Sequence, residues 1–414
     1  MDSPSKIRFQ RLMEEFASFF YYGSTVDSWV NQIIFVPFVT LQWHTTPTWI
    51  RIIGPPSSGK SAHISLLDEH ELAMSIDELT PKSLMSGFRG NGEDPSKIPQ
   101  FDGKVILISD ESTLMEQRAE DRGIIQAVLR KAYDGKITKS FGNIREIVEA
   151  RAHFNILAAA TPVIDRYFQY TQALGERYVS YRMQIPNPEA LTKRAFYNLM
   201  HGTVKKHDRL RKSVQHFIDK LELVDIGSFE IPDRRHSDLI ICADFLARLR
   251  THVLRDSSGR HVTTIPRQEG GSRLVQQLIQ VAIALSIIQG DECVTKKQLD
   301  IVTYLALCSV PELTVYTLYT SYILTNPTDE RKTWFNSKDF ILNTGIGRTT
   351  VSQILEDLAI LKILKIRSGS TQGGRQLEYT LSDDTLETIE ALELFKNYIP
   401  PVKTKQKRID RFRQ

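Results

Sequence analysis

The stretch Gly54-Pro55-Pro56-Ser57-Ser58-Gly59-Lys60-Ser61 has the spacing GxxxxGK[ST]. It follows a β-rich run, Trp49 to Ile53, and precedes a helical run, His63 to Leu67, which is the strand-loop-helix context that spacing requires. Phosphate oxygens need several donors converging on one point. Backbone N–H groups at a helix start provide them only if no bulky Cβ intrudes, which places glycine at position 59. On this reading Gly54, Ser57, Ser58 and Gly59 form a phosphate cradle. Lys60 reaches the β- and γ-phosphates of ATP, and the Ser61 hydroxyl joins the shell of a Mg²⁺ ion.

About fifty residues on, Val105-Ile106-Leu107-Ile108-Ser109-Asp110-Glu111 is an apolar run ending in two carboxylates. A buried parallel strand would deliver both acids to the carboxyl edge of a sheet, where open α/β folds bind their ligands. Asp110 would hold Mg²⁺ through water, and Glu111 would orient or deprotonate the attacking water. A third β-rich run, Phe154 to Ala159, and helical stretches such as Ile124 to Tyr133 complete an alternating pattern. The fold class it predicts is α/β, a parallel sheet with helices on both faces.

The chain has 414 residues, long enough for two to four domains at roughly 150 residues each. Hydrophobic residues at 41% and charged residues at 25% exclude a mostly disordered chain. The net charge of +4 is too small to mark a nucleic-acid binder by itself, so the placement of charge matters more. Cys242, Cys293 and Cys308 form no CxxC pair, which argues against a zinc site or disulfide framework and for a reducing, cytoplasmic setting. The most apolar stretch, Trp29 to Trp43, is interrupted by Asn31, Gln32 and Pro37, so no membrane span is expected. Before Trp49, Phe9, Leu12, Met13, Phe16, Phe19 and Phe20 recur at helical spacing and predict a docking helix.

With the phosphate loop and acid pair in place, the chain resembles the AAA+ ATPases over about residues 48 to 310. Ile137 to Phe141 and Ile144 to Val148, around Gly142-Asn143, look like the pre-sensor-1 β-hairpin of the clade containing minichromosome-maintenance helicases and bacterial enhancer-binding activators. The resemblance implies that Lys136, Lys139 and Arg145 point at DNA in the pore of a ring, expected as a homo-hexamer or other ring. Ile156 to Pro162 is similar to the strand end carrying the sensor-1 residue, here Thr161. Leu174 to Met183 is similar to the segment supplying an arginine to the neighbouring subunit's ATP, with Arg177 first and Arg182 second. Gly271 to Ile279 is similar to the start of the sensor-2 helix, with Arg273 set to touch the γ-phosphate and Arg267 as its rival. Ser86 to Gly92 lacks the GAFTGA loop of the activators, and there are no cysteine pairs for a zinc module, so the compact helicases of phages and mobile elements are the nearer likeness.

Further along, Ser337 to Leu342 predicts a short helix, Thr344 to Gly347 a turn, and Arg348 to about Leu361 a second helix. Ile363 to Arg367 and Gln376 to Leu381 then read as strands joined by a flexible tip, Ser368 to Arg375. The whole resembles a winged helix-turn-helix. From Arg331 to Arg375 eight Lys or Arg stand against three Asp or Glu, the local excess that phosphate contact needs. Arg348, Thr349, Thr350, Ser352 and Gln353 would face DNA from the second helix, with Arg367 and Arg375 on the wing. The expected organisation is a helical segment (1–47), an α/β nucleotide-binding part (48–188), a helical lid (189–312), a winged helix (325–385) and a basic tail (386–414). The function these imply is an ATP-driven helicase or translocase acting on DNA, single- or double-stranded, with replication or mobile-element proteins as partners. The alternatives are an ATP-dependent loader, initiator or regulator without unwinding, and an assembly platform in a defence system.

Overall fold

The computed structural model describes residues 3–86, 95–140, 148–168, 175–185, 187–222, 224–256, 258–259, 261–325, 334–371 and 374–401. Backbone contacts gather into two units. One comprises Met1–Thr171, Gly175–His236 and Gln276–Leu305; the other comprises Gln172–Leu174, Ser237–Val275 and Ala306–Gln414. The expected helical stretch 189–312 is therefore shared between them, because the helices Ser272–Gln289 and Lys296–Cys308 each run from one into the other.

Among the described residues seven strands belong to the first unit: β1 (Trp49–Ile53), β2 (Ala73–Ser75), β3 (Val105–Ile108), β4 (Lys136–Lys139), β5 (Val148–Arg151), β6 (Asn155–Ala160) and β7 (Tyr178–Arg182). Five of them form a sheet in the order β2-β3-β6-β1-β7, with every neighbouring pair parallel. β1, β3, β6 and β7 are buried along their whole length, which accounts for their lack of hydrophobic-polar alternation. Parallel neighbours require crossovers, and the helices Lys60–Ile64, Glu111–Met115 and Ala119–Tyr133 lie in them. One core layer centres on Trp49, whose ring stacks on Phe154 and meets Tyr133 edge-on at 5.0 Å between centroids.

The N-terminal segment is helical as expected, from Pro4–Phe19, capped by Ser3, through three short helices ending at Leu41. Its apolar stretch is core: Val30, Ile33, Ile34, Phe35, Val36 and Phe38 are all buried. Asn155, fully buried at the start of β6, fixes this segment to the sheet. Its amide donates to the Pro37 carbonyl at 2.7 Å and to Thr40 Oγ1 at 2.9 Å, while its Oδ1 accepts the Thr48 N–H at 2.7 Å. Among the described residues no single helix is long and apolar enough to cross a membrane.

β4 and β5 form a separate antiparallel hairpin running from Lys136↔Arg151 to Lys139↔Val148. Its described second strand is Val148–Arg151, with Val148 and Ala150 turned into the core by the alternation of the strand, while residues 144–147 of the expected strand lie outside the described residues. The turn expected at Gly142-Asn143 lies outside the described residues, as do Arg145 and residues 87–94.

In the second unit Asn336 caps the helix Ser337–Thr344 through a reciprocal bond with Asp339, and Gly345, at φ 73°, ends it. The helix Arg348–Ile360 follows, then β9 (Leu364–Thr371) and β10 (Gly374–Leu381), with β8 (Phe335–Asn336) on the outer side of β10. Phe335, Phe340, Val351, Leu355, Leu358 and Tyr379 are buried beneath the three strands and two helices. The hairpin strands pair as far as Thr371↔Gly374, so the tip is much shorter than the sequence suggests. Main-chain pairing carries the strands past the apolar residues on which the sequence reading relied.

Candidate functional site

β1 ends at Ile53, and residues 54–59 turn directly into the helix Lys60–Ile64. Gly59 sits at φ 93°, where any side chain is strained, and Ser57 at φ 61° holds the same left-handed region without being glycine. A Cβ on Gly54 would come within 2.8 Å of Ser58 Oγ and 3.1 Å of Met183 Cβ, so the backbone there is a close cradle. The Lys60 ammonium lies inside it, donating to the carbonyls of Gly54 at 2.7 Å and Pro55 at 2.8 Å. Burial pulls its pKa below the ordinary lysine value, and nearby Asp110 partly restores it.

The carboxyl ends of β1, β3 and β6 are adjacent, which brings the two motifs and Thr161 to one edge of the sheet. Ser61 Oγ donates to the Ser109 carbonyl at 3.3 Å, and the Asp110 carboxylate accepts the Ser112 N–H at 3.0 Å. Ser61 and Asp110 are hard oxygen donors of the kind Mg²⁺ prefers. Among the described residues no group of three His, Cys, Asp or Glu is placed to hold a metal, so phosphate and water oxygens would complete the shell. Thr161 N–H donates to Ser112 Oγ at 2.8 Å, and the two hydroxyls stand 3.0 Å apart.

The two carboxylates have opposite surroundings. Asp110 is exposed, whereas Glu111 is buried and held by Arg51 from the middle of β1, Nε to Oε2 at 2.6 Å and Nη2 to Oε1 at 2.9 Å. Arg51 also approaches Glu176 at 3.4 Å and lies under the Tyr178 ring at 3.9 Å. Burial and the neighbouring Glu111 push the Tyr178 hydroxyl well above its ordinary pKa, so it stays protonated. Arg51, Glu176 and Ser112 escape the motif reading. Arg51 alone carries a signal, as the single charge inside an otherwise apolar strand, which must find a partner.

His63, one turn into the helix after the loop, is another residue the motif does not mark. Its ring is buried and stacks on Phe20 at 3.9 Å between centroids, with Phe16 beyond at 6.1 Å. Nδ1 lies 2.8 Å from the Gly59 carbonyl oxygen; a carbonyl only accepts, so Nδ1 carries the proton. Nε2 faces Tyr22 and Asn31, each at 3.2 Å. The N-terminal segment thus braces the phosphate loop through this imidazole. Burial lowers the His63 pKa from 6.5 to about 4. The unfolded chain therefore binds this proton below about pH 6.5 and the native one only near 4. Stability is complete above 6.5 and falls by about 3 kcal/mol down to pH 4. In urea unfolding at pH 7 and 4.5, His63→Phe, which keeps the ring but cannot titrate, should lose markedly less stability on acidification than the unaltered chain.

The remaining expected residues are placed less simply. Arg177 stacks on Tyr133 at 5.0 Å, pairs with Asp134 at 3.5 Å and is only 14% exposed in its side chain. Arg182 stands in β7 opposite Ile53 of its own chain, bonded to Asp165 at 2.7 Å. Both are engaged within the chain, and neither projects as an arginine offered to a neighbour must. Arg273, in the second unit at the start of the helix Ser272–Gln289, forms an ion pair with Glu269. Arg267 is exposed. On the β4–β5 hairpin Lys136 pairs with Glu149 at 2.7 Å, and Lys139 is half-buried. Arg367 is held across its hairpin by Glu378 at 2.7 Å and covers Trp334. Arg348 and Thr349 are exposed at the start of their helix, while the Arg375 side chain and the tail from 402 lie outside the described residues.

No described protein family and no curated protein matches this chain. The loop, its lysine and the acid pair at one sheet edge are therefore the ground on which function is argued.

Proposed function

We propose that the chain is an ATP-hydrolysing AAA+ protein that acts on DNA as a ring, a helicase or translocase of the compact minichromosome-maintenance-like kind. One observation carries this reading: the cradle of Gly54 to Ser61 closes around the Lys60 ammonium beside Asp110 and Ser61, at the carboxyl edge of a parallel sheet. Lys60 would leave the two loop carbonyls for the β- and γ-phosphates, with Ser61 and Asp110 holding Mg²⁺. The metal supplies charge neutralisation for the transferring phosphoryl group.

Glu111 remains the candidate to orient the attacking water, and Arg51 is its positioning residue. While both carboxylate oxygens face the guanidinium, Glu111 is directed inward, so hydrolysis needs that pair to loosen. Thr161, tied to Ser112 beside Glu111, is set to report on the same place. With Arg182 buried and Arg177 half-buried, the arginine offered to a neighbour would be Arg177 only if its pair with Asp134 opens on assembly.

A second reading, an ATP-dependent initiator or regulator that finds a DNA site without unwinding, is favoured by one contrast. Arg348 and Thr349 are exposed at the head of the second helix of a winged-helix-like module, while Lys136 on the hairpin is neutralised by Glu149. Strand displacement by the purified chain on a forked duplex separates the two. The motor predicts ATP-dependent unwinding; an active ATPase that displaces no strand at any protein concentration would establish the regulator instead.

A further inference from the structure

On the described hairpin Lys136 is paired with Glu149, and on the wing Arg367 with Glu378; a cluster of cations without such partners stands elsewhere. It lies on two consecutive helices of the first unit, Pro188–Met200 and Thr203–Asp219. Between Pro188 and Ser213 seven Lys or Arg stand against two Asp or Glu. Lys193 is paired with Glu189, and Arg211 with Glu69. Lys205, Arg209 and Lys212, four and three residues apart, share one exposed face of the second helix and have no ion-pair partner among the described residues. The opposite face carries the buried Leu210, Val214, Phe217 and Ile218, so this stripe is fixed outward by the core.

The first helix adds apolar surface beside that charge. Phe196 is 66% exposed, and Leu199 is 73% exposed, as is Val204 just after the turn. A soluble chain does not ordinarily leave such a group uncovered unless something binds there. Tyr197, also exposed, is engaged by its neighbours, with His201 stacked on it at 4.1 Å and the Lys206 ammonium over its ring at 4.9 Å. That arrangement holds Lys206 beside the patch and leaves Phe196 as the open aromatic face. The helix itself is anchored at its inner side, where Arg194 and Asn198 donate to the carbonyls of Ser18 and Phe19.

We propose that this helical pair is a binding surface for single-stranded nucleic acid, in which a base stacks on Phe196 while Lys205, Arg209 and Lys212 contact successive phosphates. Open aromatic faces beside unpaired cations are what sequence-tolerant recognition of a single strand uses. A protein partner would also cover Phe196 and Leu199, but the run of three unpaired cations favours a polyanion. The inference deepens the DNA part of the proposed function and is independent of its ATPase part.

The test is fluorescence anisotropy with a labelled oligothymidine of about 30 nucleotides, full-length chain and no nucleotide, across a salt series. Phe196→Ala should weaken binding about tenfold. Changing Lys205, Arg209 and Lys212 together to alanine should lower the slope of log affinity against log salt by about 2, the value for three single-strand phosphates. Phe196 is exposed, so the circular dichroism of Phe196→Ala should match that of the unaltered chain, which separates lost binding from lost fold. Wild-type affinity and salt slope in these variants would overturn the proposal. So would a Phe196→Ala chain that loses self-association in sedimentation while binding the oligonucleotide as before, since that identifies a protein-docking face. Loss of ATP turnover alone, with oligonucleotide binding retained, would refute the ATPase reading and leave this one standing.

Discussion

Replacing Arg51 with alanine is expected to destabilise the chain by about 3–5 kcal/mol, because it removes the guanidinium bonded to the buried Glu111 and Glu176 carboxylates. Arg51, Glu111 and Glu176 are each nearly excluded from water, and the shortest contact among them is 2.6 Å. Removing one member leaves uncompensated charge, which costs far more than removing the whole set. A fall of roughly 10 °C in the thermal midpoint of unfolding follows for a unit of this size. The combined variant Arg51→Met with Glu111→Gln should recover much of the loss, since the remaining buried charge is then one carboxylate bonded to the N–H groups of Arg177 and Tyr178. Equal stability of the single variant and the unaltered protein would show that the ion pair is not formed in solution.

Replacing Lys60 with alanine is expected to weaken ATP binding at least about a hundredfold, with the fold retained. A lysine reaching two phosphates makes charge-assisted hydrogen bonds of about 1.5–3 kcal/mol each, and a hundredfold corresponds to about 2.7 kcal/mol. The same ammonium also ties together the Gly54 and Pro55 carbonyls, so the loop loosens in the variant. The core beneath is untouched, because Lys60 reaches into the loop rather than the sheet. Calorimetric titration with ATP and Mg²⁺ reads the loss directly. An affinity for ATP within twofold of the unaltered chain would remove Lys60 from the site.

The glycine-rich loop and the strand before it were legible because the spacing fixes residue type at two positions: glycine where φ is positive, and a lysine whose ammonium the loop closes around. β1, β3 and β6 stood out as largely apolar runs, β1 broken only by Arg51 and β6 opened by Asn155. β7 did not, because Tyr178-Val-Ser-Tyr-Arg182 mixes polar and apolar residues in a strand buried by its neighbours. β2, only three residues long, carries too little pattern to be read at all. The contacts that decide the site's electrostatics were illegible for a different reason. Arg51 and Glu111 are 60 residues apart in sequence, and Glu176 is 125 from Arg51; only the strand order β3-β6-β1-β7 brings them together. His63 looked like an ordinary helix residue until the N-terminal segment was seen to fold over it. The basic helices 188–219 were hidden because the chain's net charge is small and a local excess reads as a solvated face. Its meaning depends on which lysines find acids, and the sequence does not say.

The claim on which the account rests is that this chain breaks ATP with the loop that follows β1. Steady-state release of phosphate from ATP and Mg²⁺ by the purified full-length chain, with and without single-stranded DNA, tests it most directly. The account predicts sustained release that rises with DNA and vanishes on replacing Lys60 with alanine. A folded chain that releases no phosphate above the protein-free blank, with or without DNA and at every protein concentration, would contradict it.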